Sequence, residues 1–232
     1  MILREQKKYL IIEPICVLLL QKENGIKNLR KTKKFIYLIS PKKISSLDFY
    51  KNLESLFKTK KIALFQLRLK KENKKKVIRT AKKIKKLTKK YNVKFIINDD
   101  PNLAIKINAD GCHIGQKDFD IKKARKILKK KMLGVTCHNS LKLAKEAITN
   151  KADYLAFGSF YQSITKKTKY RASTKIIHLA RKITNIPIIA IGGINYDNYK
   201  KLLLNKANFL AISGYIWNNK KLSPKEAINK FI

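Results

Sequence analysis

Polar side chains whose chemistry suits a multiply charged anion lie in a short alternating segment, residues 66–70. Alternate residues of an extended chain point to opposite sides, so Gln66, Arg68 and Lys70 share one face and the leucines between them share the other. Arginine offers phosphate oxygens a two-pronged donor and lysine offers a point charge, so this row would bind a group such as pyrophosphate. An exposed strand end explains the same alternation, and the segment alone does not decide between the two interpretations.

Two carboxylates after the following apolar runs would complement that row. Asn98 and Asp99 end one run, Asp118 comes shortly after the next, and Thr136 ends a further one. Magnesium commonly takes one or two protein carboxylates together with substrate phosphates and water, so the two aspartates predict a Mg²⁺ site. The structural alternatives are a turn started by an aspartate before Pro101 and a helix cap at Asp118. These local roles are favoured when the residues are considered in isolation.

Small and hydroxyl-bearing residues after the later apolar runs could hold a phosphate. In the long polar loop after residue 158, the hydroxyls and backbone amides of Ser163 and Thr165 can bind one, and Lys166 can reach a second anion. A mobile cover and a disordered basic loop are the two interpretations of its length and charge. Turns at Gly193 and Ser213 end two later runs, and paired turns of this kind form the recurrent phosphate site of α/β barrels.

Repeated βα units would place all of these groups at one edge. From residue 35 onward, short β-branched runs alternate with lysine-rich amphipathic segments. The candidate strands are 35–40, 62–69, 93–99, 110–114, 132–136, 154–158, 188–192 and 209–213. The clearest helix is 73–91, and Ser223 with Pro224 is a typical start for the last helix. About eight such units in one domain favour a closed (β/α)8 TIM barrel over an open doubly wound sheet.

The charge of the chain is extreme but dispersed. Fifty-five Lys and Arg against 15 Asp and Glu leave a formal net charge of +40 and a sequence pI near 10.2. A nucleic-acid-binding protein is expected to collect its charge in one patch or stripe. Only seven of the 55 are arginines, and the lysines lie along nearly every predicted helix, so we expect solvated helix faces and no nucleic-acid partner. The positive field would attract small phosphorylated substrates.

The cysteine count and the N-terminal segment indicate the cellular compartment and the domain organisation. Three cysteines provide no even set for a disulfide framework, which favours a reducing cytoplasm. Residues 1–33 are expected to be an N-terminal extension of unknown role, and the barrel domain to span 34–232. The apolar stretch 9–20 contains Glu13 and Pro14 and is too short to span a bilayer, so we expect no membrane insertion, and a buried strand and an interfacial segment are the two remaining interpretations. The sequence does not fix the oligomeric state and allows a homo-oligomer.

Two adjacent Cys-His pairs raise the question of a zinc site. They are Cys112 with His113 and Cys137 with His138. Neighbouring residues of a strand point to opposite faces, so neither pair is expected to chelate one ion. His178 is predicted to lie on a helix as an ordinary packed or surface side chain.

Taken in order, five segments resemble the thiamine phosphate synthase (thiamine-phosphate pyrophosphorylase) family. They are residues 66–70, 97–100, 109–116, 134–138 and 191–194, and the resemblance runs from about residue 35 to the end. It implies a (β/α)8 barrel that joins a hydroxymethylpyrimidine diphosphate to a carboxylated thiazole phosphate, releasing pyrophosphate and CO₂ with the help of Mg²⁺. The chain departs from the family pattern by lacking prolines around 163–165 and a Gly-Ala-Asp-Gly type of turn at 206–209.

The resemblance also implies a role for each matching residue. The pyrimidine diphosphate would be held by Gln66, Arg68, Lys70, Asn98, Thr136 and Lys166. Three of these, Arg68, Lys70 and Lys166, would assist departure of pyrophosphate, and Asp99 and Asp118 would bind Mg²⁺. The thiazole phosphate would be held by Ser163, Thr165, Gly193, Ile212 and Ser213. Cations that stabilise the departing pyrophosphate make a protein nucleophile unnecessary.

Two other functions are compatible with parts of the pattern. A thiazole tautomerase would share the barrel and handle only the thiazole, but the presence of Arg68, Asp99 and Asp118 argues against it. A non-catalytic basic barrel that binds RNA or another anionic surface would be expected to show clustered arginine or interleaved aromatic residues.

Overall fold

Eight short parallel strands form a closed barrel within the described residues, which are 34–44, 46–162 and 169–231 of this computed structural model. The strands are β1 (Ile36–Ile39), β2 (Ile62–Leu67), β3 (Lys94–Asn98), β4 (Gly111–Ile114), β5 (Met132–His138), β6 (Tyr154–Gly158), β7 (Ile188–Ile191) and β8 (Phe209–Ile212). Each strand pairs with its neighbours in sequence, and β8 closes onto β1. The predicted (β/α)8 barrel is confirmed.

Helices follow the strands and form the outer layer. In the same described ranges they are α1 (Leu47–Lys58), α2 (Lys74–Lys90), α3 (Pro101–Lys106), α4 (Ile121–Leu128), α5 (Leu141–Thr149), α6 (Thr174–Arg181), α7 (Tyr199–Leu204), α8 (Gly214–Trp217) and α9 (Pro224–Asn229). A parallel strand needs a crossover to return to the same end of the sheet, and the helices provide it. All strands therefore end at one mouth of the barrel.

Alternation along the strands divides the barrel wall into two apolar layers. Side chains such as Leu64, Ile96 and Ile189 pack against one another inside the barrel. Their neighbours in sequence, such as Phe65 and Ile97, pack beneath the helices. All five are buried. Parallel strands covered by helices are apolar on both faces, which explains the continuous apolar runs of the sequence.

Helix starts follow the sequence signals. The predicted helix at 73–91 is α2, and the side chain of Asn73 caps it. The last helix, α9, begins with Ser223 and Pro224 as predicted, and Ser223 forms a capping box with Glu226. Capping satisfies backbone N–H groups that have no partner inside the helix.

Two strand ends differ from the prediction by two residues, and the others lie within one residue of it. β2 ends at Leu67, two residues early, because its pairing with β1 stops at Ile39 and Gln66, and the hydroxyl of Ser40 then accepts the N–H of Arg68 at 3.0 Å. β5 runs beyond its predicted end at residue 136, because a bulge keeps its last residues paired with β6.

Some predictions fall where the structure gives no description. The proposed extension 1–33 lies outside the described residues. In the part of the chain that the structure describes, no helix is both long and apolar enough to cross a lipid bilayer. Cys112 packs in the layer beneath the helices, whereas His113 points into the barrel, so this pair faces opposite sides of the wall as predicted.

Candidate active site

Three charged side chains meet at the mouth of the barrel. Lys70, Asp99 and Asp118 follow β2, β3 and β4 respectively. The Nζ atom of Lys70 lies 2.7 Å from Oδ2 of Asp99 and 2.8 Å from Oδ1 of Asp118. One cation thus bridges the two carboxylates that the resemblance assigns to a metal, and we call these three residues the charged cluster.

The backbone at the end of β3 directs Asp99 into the charged cluster. Asp99 has a φ of 63°, in the left-handed region that aspartate enters more readily than most residues. Its N–H donates to the carbonyl oxygen of His113 at 2.8 Å. The next residue, Asp100, caps α3 by accepting the N–H of Leu103 at 2.8 Å. Asp100 is therefore the aspartate with a local structural role before Pro101, and the side chain of Asp99 lies at the mouth of the barrel.

Asp118 likewise does not cap a helix. Asp120 caps α4 by accepting the N–H of Lys123 at 2.8 Å. The alternative of a cap at Asp118 is wrong, because the helix begins at residue 121 and its cap is the residue directly before it. Asp118 instead contacts Lys70 from the loop after β4.

The charged cluster favours the protonated form of Lys70. Partial burial disfavours the charge, but hydrogen bonds to Asp118 and Asp99 outweigh it and raise the pKa of Lys70. The side chains of Lys70, Asp99 and Asp118 are 39%, 20% and 34% exposed, so water screens both ion pairs. Pairs of this kind contribute at most about 1 kcal/mol each to stability. The charged cluster therefore contributes little to the stability of the fold. Its main effect is on the charges that a ligand meets at the mouth of the barrel.

A second set of polar side chains lies inside the barrel. Nε2 of Gln66 donates to the hydroxyl of Tyr37 at 2.7 Å, and that hydroxyl lies 2.9 Å from the hydroxyl of Tyr154. Nδ1 of His113 lies 3.2 Å from the Tyr154 hydroxyl, and Nε2 lies 2.9 Å from the hydroxyl of Thr136. Gln66 is 2% exposed and His113 is 7% exposed. These five residues, the interior chain, satisfy one another's hydrogen bonds; four of them are buried and Thr136, at the end toward the mouth, is half-buried.

Burial and nearby cations hold His113 in its neutral form. Burial lowers the pKa of His113 to about 4, and the positive charge of Arg68 and, more weakly, that of Lys70 act in the same direction, against an opposing effect of Asp118. A neutral imidazole has one donor nitrogen and one acceptor nitrogen. His113 can therefore serve one neighbour as a donor and the other as an acceptor.

Acidification is expected to destabilise the protein through His113. In the unfolded chain this group binds a proton below pH 6.5, but in the folded protein only below about pH 4. The stability that it contributes is complete above pH 6.5 and falls between pH 6.5 and 4, by roughly 3 kcal/mol for the 2.5-unit difference. Denaturant unfolding of the wild type and of His113→Asn at several pH values measures this. Parallel pH profiles for the two proteins would contradict it.

The loops after β6 and β7 are joined by their backbones. The N–H of Phe160 donates to the carbonyl oxygen of Ile191 at 3.1 Å, and the N–H of Tyr161 donates to that of Gly192 at 3.0 Å. Gly193 has a φ of 63°, and a Cβ atom there would lie 2.2 Å from the carbonyl oxygen of Gln162. Only glycine fits this turn, because any side chain there would meet the backbone of the loop after β6.

Two residues predicted to hold the thiazole phosphate lie at the end of β8. The side chain of Ile212 is buried beneath the helices, so only its backbone can contact a ligand. The hydroxyl of Ser213 donates to the carbonyl oxygen of Ser40 at 3.2 Å. This bond ties the turn after β8 to the end of β1.

Of the other predicted site residues, three lie at the mouth of the barrel and three lie outside the described residues. Arg68, Asn98 and Thr136 are half-buried around the mouth, and the amide of Asn98 donates to Oδ2 of Asp99 at 2.5 Å. The remaining three, Ser163, Thr165 and Lys166, lie outside the described residues. The structure thus brings the groups predicted for the diphosphate and the metal together, except for Lys166.

Three residues of the interior chain are not identified as site residues from the sequence. Tyr37 and Tyr154 were not singled out, and His113 was considered only as a zinc ligand. A tyrosine at an inward position of an apolar strand is an available signal, because its buried hydroxyl needs a partner. The identity of that partner is not readable from spacing, since the two tyrosines are 117 positions apart.

Comparison with known proteins places the chain in a family. The sequence model described as "Thiamine monophosphate synthase" matches residues 36–216. The thiamine-phosphate synthase of Pelagibacter ubique (strain HTCC1062) is 64% identical over 198 residues, which cover 85% of this chain and 96% of that protein. The chain belongs to the thiamine monophosphate synthase family. The thiamine-phosphate synthase of Rhodospirillum centenum (strain ATCC 51521 / SW) is 34% identical over 197 residues, with 84% and 95% of the two chains covered.

The match to the thiamine monophosphate synthase family contains the whole mouth of the barrel. Residues 36–216 run from β1 into α8 and include the charged cluster and the interior chain. A solved structure described as thiamine phosphate pyrophosphorylase from Pyrococcus furiosus superposes with a TM-score of 0.76 at 22% identity, covering 86% of this chain and 94% of that one. This likeness shows the shared barrel fold.

Proposed function

We propose that this member of the thiamine monophosphate synthase family joins 4-amino-2-methyl-5-(diphosphooxymethyl)pyrimidine to a carboxylated thiazole phosphate. The products would be thiamine phosphate, pyrophosphate and CO₂. The observation that carries the proposal is the charged cluster, in which Lys70 lies within 2.8 Å of both Asp99 and Asp118. An anion-binding cation and a pair of carboxylates at one point suit a diphosphate that arrives with a divalent metal.

The carboxylates fit Mg²⁺ as a metal shared with the substrate. Among the described residues, no group of three or more His, Cys, Asp or Glu could hold a metal ion. Magnesium usually keeps several waters and binds one or two carboxylates plus phosphate oxygens, so Asp99 and Asp118 suffice as its protein ligands. The ammonium group already between them shows that both oxygens can face one cation. When bound, Mg²⁺ would supply charge that stabilises the departing pyrophosphate.

The side chains of the mouth would stabilise the same charge. As the bond between the methylene carbon and the diphosphate oxygen breaks, its electron pair leaves with pyrophosphate. Arg68 would then donate two parallel hydrogen bonds to phosphate oxygens, and Lys70 and Lys166 would add point charges. Preorganised donors of this kind are commonly the largest contribution to catalysis.

The new bond needs little help from the protein. The thiazole nitrogen supplies the electron pair to the electron-deficient methylene carbon. The carboxylate leaves as CO₂, and the electron pair that stays on the ring carbon accepts a proton. The thiazole phosphate would be held by the backbone at Gly193 and Ile212 and by Ser163, Thr165 and Ser213. The tight turn at Gly193 supports this assignment, because backbone amides can approach a phosphate there.

Lys70 is expected to compete with the metal before substrate binds. In Lys70→Gln the two carboxylates lose their ammonium partner, so the substrate-free protein should bind Mn²⁺ or Mg²⁺ on the order of three- to tenfold more tightly. Calorimetric titration or the electron paramagnetic resonance of Mn²⁺ measures this without turnover. The neighbouring exposed lysine gives a matched control, because Lys71→Gln removes the same charge outside the cluster. Equal metal affinities in all three proteins would contradict the competition.

The direct test is the condensation itself. Purified protein is mixed with the pyrimidine diphosphate, the carboxylated thiazole phosphate and Mg²⁺, and thiamine phosphate and pyrophosphate are measured with and without EDTA. Metal-dependent formation of both products in equal amounts is expected. Isomerised thiazole without pyrophosphate release would indicate a tautomerase instead. Salt-sensitive RNA binding without condensation would indicate the non-catalytic barrel.

Three further expectations depend on the sequence alone. The cytoplasmic location, the lack of a nucleic-acid partner and the allowance for a homo-oligomer stay predictions. Both described cysteines, Cys112 and Cys137, are free and buried, and burial raises the pKa of the Cys137 thiol to about 12. Such thiols are inert, which is compatible with a reducing compartment.

A further inference from the structure

The interior chain links Gln66 and Thr136, two residues that the family resemblance assigns to the pyrimidine diphosphate. It runs from Gln66 on β2 through Tyr37 on β1 and Tyr154 on β6 to His113 on β4, and ends at Thr136 on β5. Every link is between 2.7 and 3.2 Å long. The chain therefore connects five strands of the barrel by side-chain hydrogen bonds alone.

The orientation of the Gln66 amide, with its nitrogen toward Tyr37, gives the interior chain one direction. An amide nitrogen can only donate, so the Tyr37 hydroxyl accepts from Gln66 and has one proton left to give. That proton goes to the hydroxyl of Tyr154, whose own proton then goes to Nδ1 of His113. Nδ1 is thus an acceptor, and the proton of the neutral imidazole lies on Nε2, which donates to the hydroxyl oxygen of Thr136.

The opposite direction leaves a buried proton without an acceptor. If Tyr154 donated to Tyr37, the Tyr37 hydroxyl would accept twice, and among the described residues no other hydrogen bond would receive its proton. A buried donor without an acceptor costs about 1–3 kcal/mol. Tyr37 is 1% exposed, so water cannot replace the missing partner. With the amide nitrogen of Gln66 facing Tyr37, each hydroxyl proton is used once only when the chain runs from Gln66 to Thr136.

The position of Tyr154 depends on a glycine in the neighbouring strand. A Cβ atom on Gly134 would lie 1.9 Å from Cζ of Tyr154 and 2.2 Å from its hydroxyl oxygen. The ring of Tyr154 also stacks on His113 with centroids 5.6 Å apart and meets Tyr37 edge-on at 5.9 Å. Gly134 thus leaves the space in which the tyrosine reaches its partners.

We propose that Tyr37, Tyr154 and His113 are positioning residues that present an acceptor at Gln66 and a donor at Thr136 to an aminopyrimidine. With its NH₂ directed to Tyr37, Gln66 offers its carbonyl oxygen to the ligand. With its oxygen occupied by His113, Thr136 offers its hydroxyl proton. An aminopyrimidine carries an amino donor and ring-nitrogen acceptors, which match these two groups. The identity of this ligand rests on the proposed function, whereas the direction of the chain does not.

The direction can be read without substrate from the histidine nitrogens. The sequence contains three histidines, so a protein labelled with ¹⁵N-histidine gives a simple spectrum, and His113→Asn assigns the signals of interest. At neutral pH we expect Nε2 of His113 in the protonated range and Nδ1 in the unprotonated range. In Tyr154→Phe the donor to Nδ1 is lost, and a mixture of tautomers is expected. A proton on Nδ1 in the wild type would overturn the proposal.

Discrimination between two substrates tests whether Gln66 and Thr136 present an acceptor and a donor to the ligand. The wild type should prefer the amino-bearing pyrimidine diphosphate over the analogue that carries hydrogen in place of the amino group. Tyr37→Phe and Tyr154→Phe should reduce this preference by roughly tenfold, mainly through KM for the pyrimidine. Tyr199→Phe is the matched control, because Tyr199 is equally buried but packs on Phe35 and Phe231 outside the barrel centre.

The outcomes separate a positioning role from a structural one. Variants that unfold more easily but keep the wild-type preference would overturn the proposal and leave the interior chain a structural feature. Absence of condensation by the wild type, with the proton on Nε2 of His113, would contradict the proposed function and support the direction of the chain. Condensation with the proton on Nδ1 would contradict the chain and support the proposed function.

Discussion

Replacing Asp99 with asparagine is expected to lower kcat/KM for thiamine phosphate formation by roughly a hundredfold to a thousandfold. The amide keeps the size of the side chain but removes one of the two charges that face the cation position in the charged cluster. The Mg²⁺ concentration that gives the half-maximal rate should rise as well. Initial rates over a series of Mg²⁺ concentrations measure both effects.

The adjacent aspartate provides the control for this variant. Asp100 caps α3, and asparagine is an equally good capping residue, so Asp100→Asn should keep near wild-type rates. The two variants carry the same chemical change one residue apart. If Asp99→Asn also kept the wild-type rate at limiting Mg²⁺, its carboxylate would not be a metal ligand.

Removal of the Arg68 side chain is expected to have an effect of similar size. Arg68 is half-buried directly after β2, and its charge lowers the pKa of the buried His113. Arg68→Ala should lower kcat/KM by roughly a hundredfold to a thousandfold, because two charge-assisted hydrogen bonds to the departing pyrophosphate are lost. Arg68→Lys should recover only part of this loss, since lysine has no fork of donors.

An arginine on the outer surface tests whether the effect is local. Arg79 lies exposed on α2, so Arg79→Ala removes the same charge without touching the mouth. Its rate should equal that of the wild type. Equal losses in Arg68→Ala and Arg79→Ala would point to the overall positive field rather than to direct contact.

The barrel was predictable because its periodicity is carried by residues that are close in sequence. Each strand is a run of apolar residues that needs covering on both faces, and the helix after residue 73 shows apolar positions at regular helical spacing. The ends of strands were less predictable. Alternation continues past Leu67, with Leu69 still buried, although the backbone pairing has already stopped. A pattern of side chains therefore does not report where a ladder of backbone bonds ends.

The residues at the mouth of the candidate site could be predicted from the sequence, but the hydrogen-bonded chain in its interior could not. Polar residues at strand ends converge because parallel strands share one end, which is enough to bring Asp99 and Asp118 together. The bridging position of Lys70 depends on the paths of three loops, and the sequence indicated only an anion-binding row. The interior chain depends on inward positions of five strands meeting at the barrel axis, and on the space left by Gly134.

The junction of the loops after β6 and β7 has a consequence for how this protein can evolve. Phe160 and Tyr161 hold the junction through their N–H groups, which every residue except proline supplies. The backbone bonds of the junction therefore do not depend on which side chains stand at these two positions. The charged cluster is different, because each of its contacts belongs to a side chain. The junction can therefore tolerate substitutions of its side chains that the charged cluster cannot.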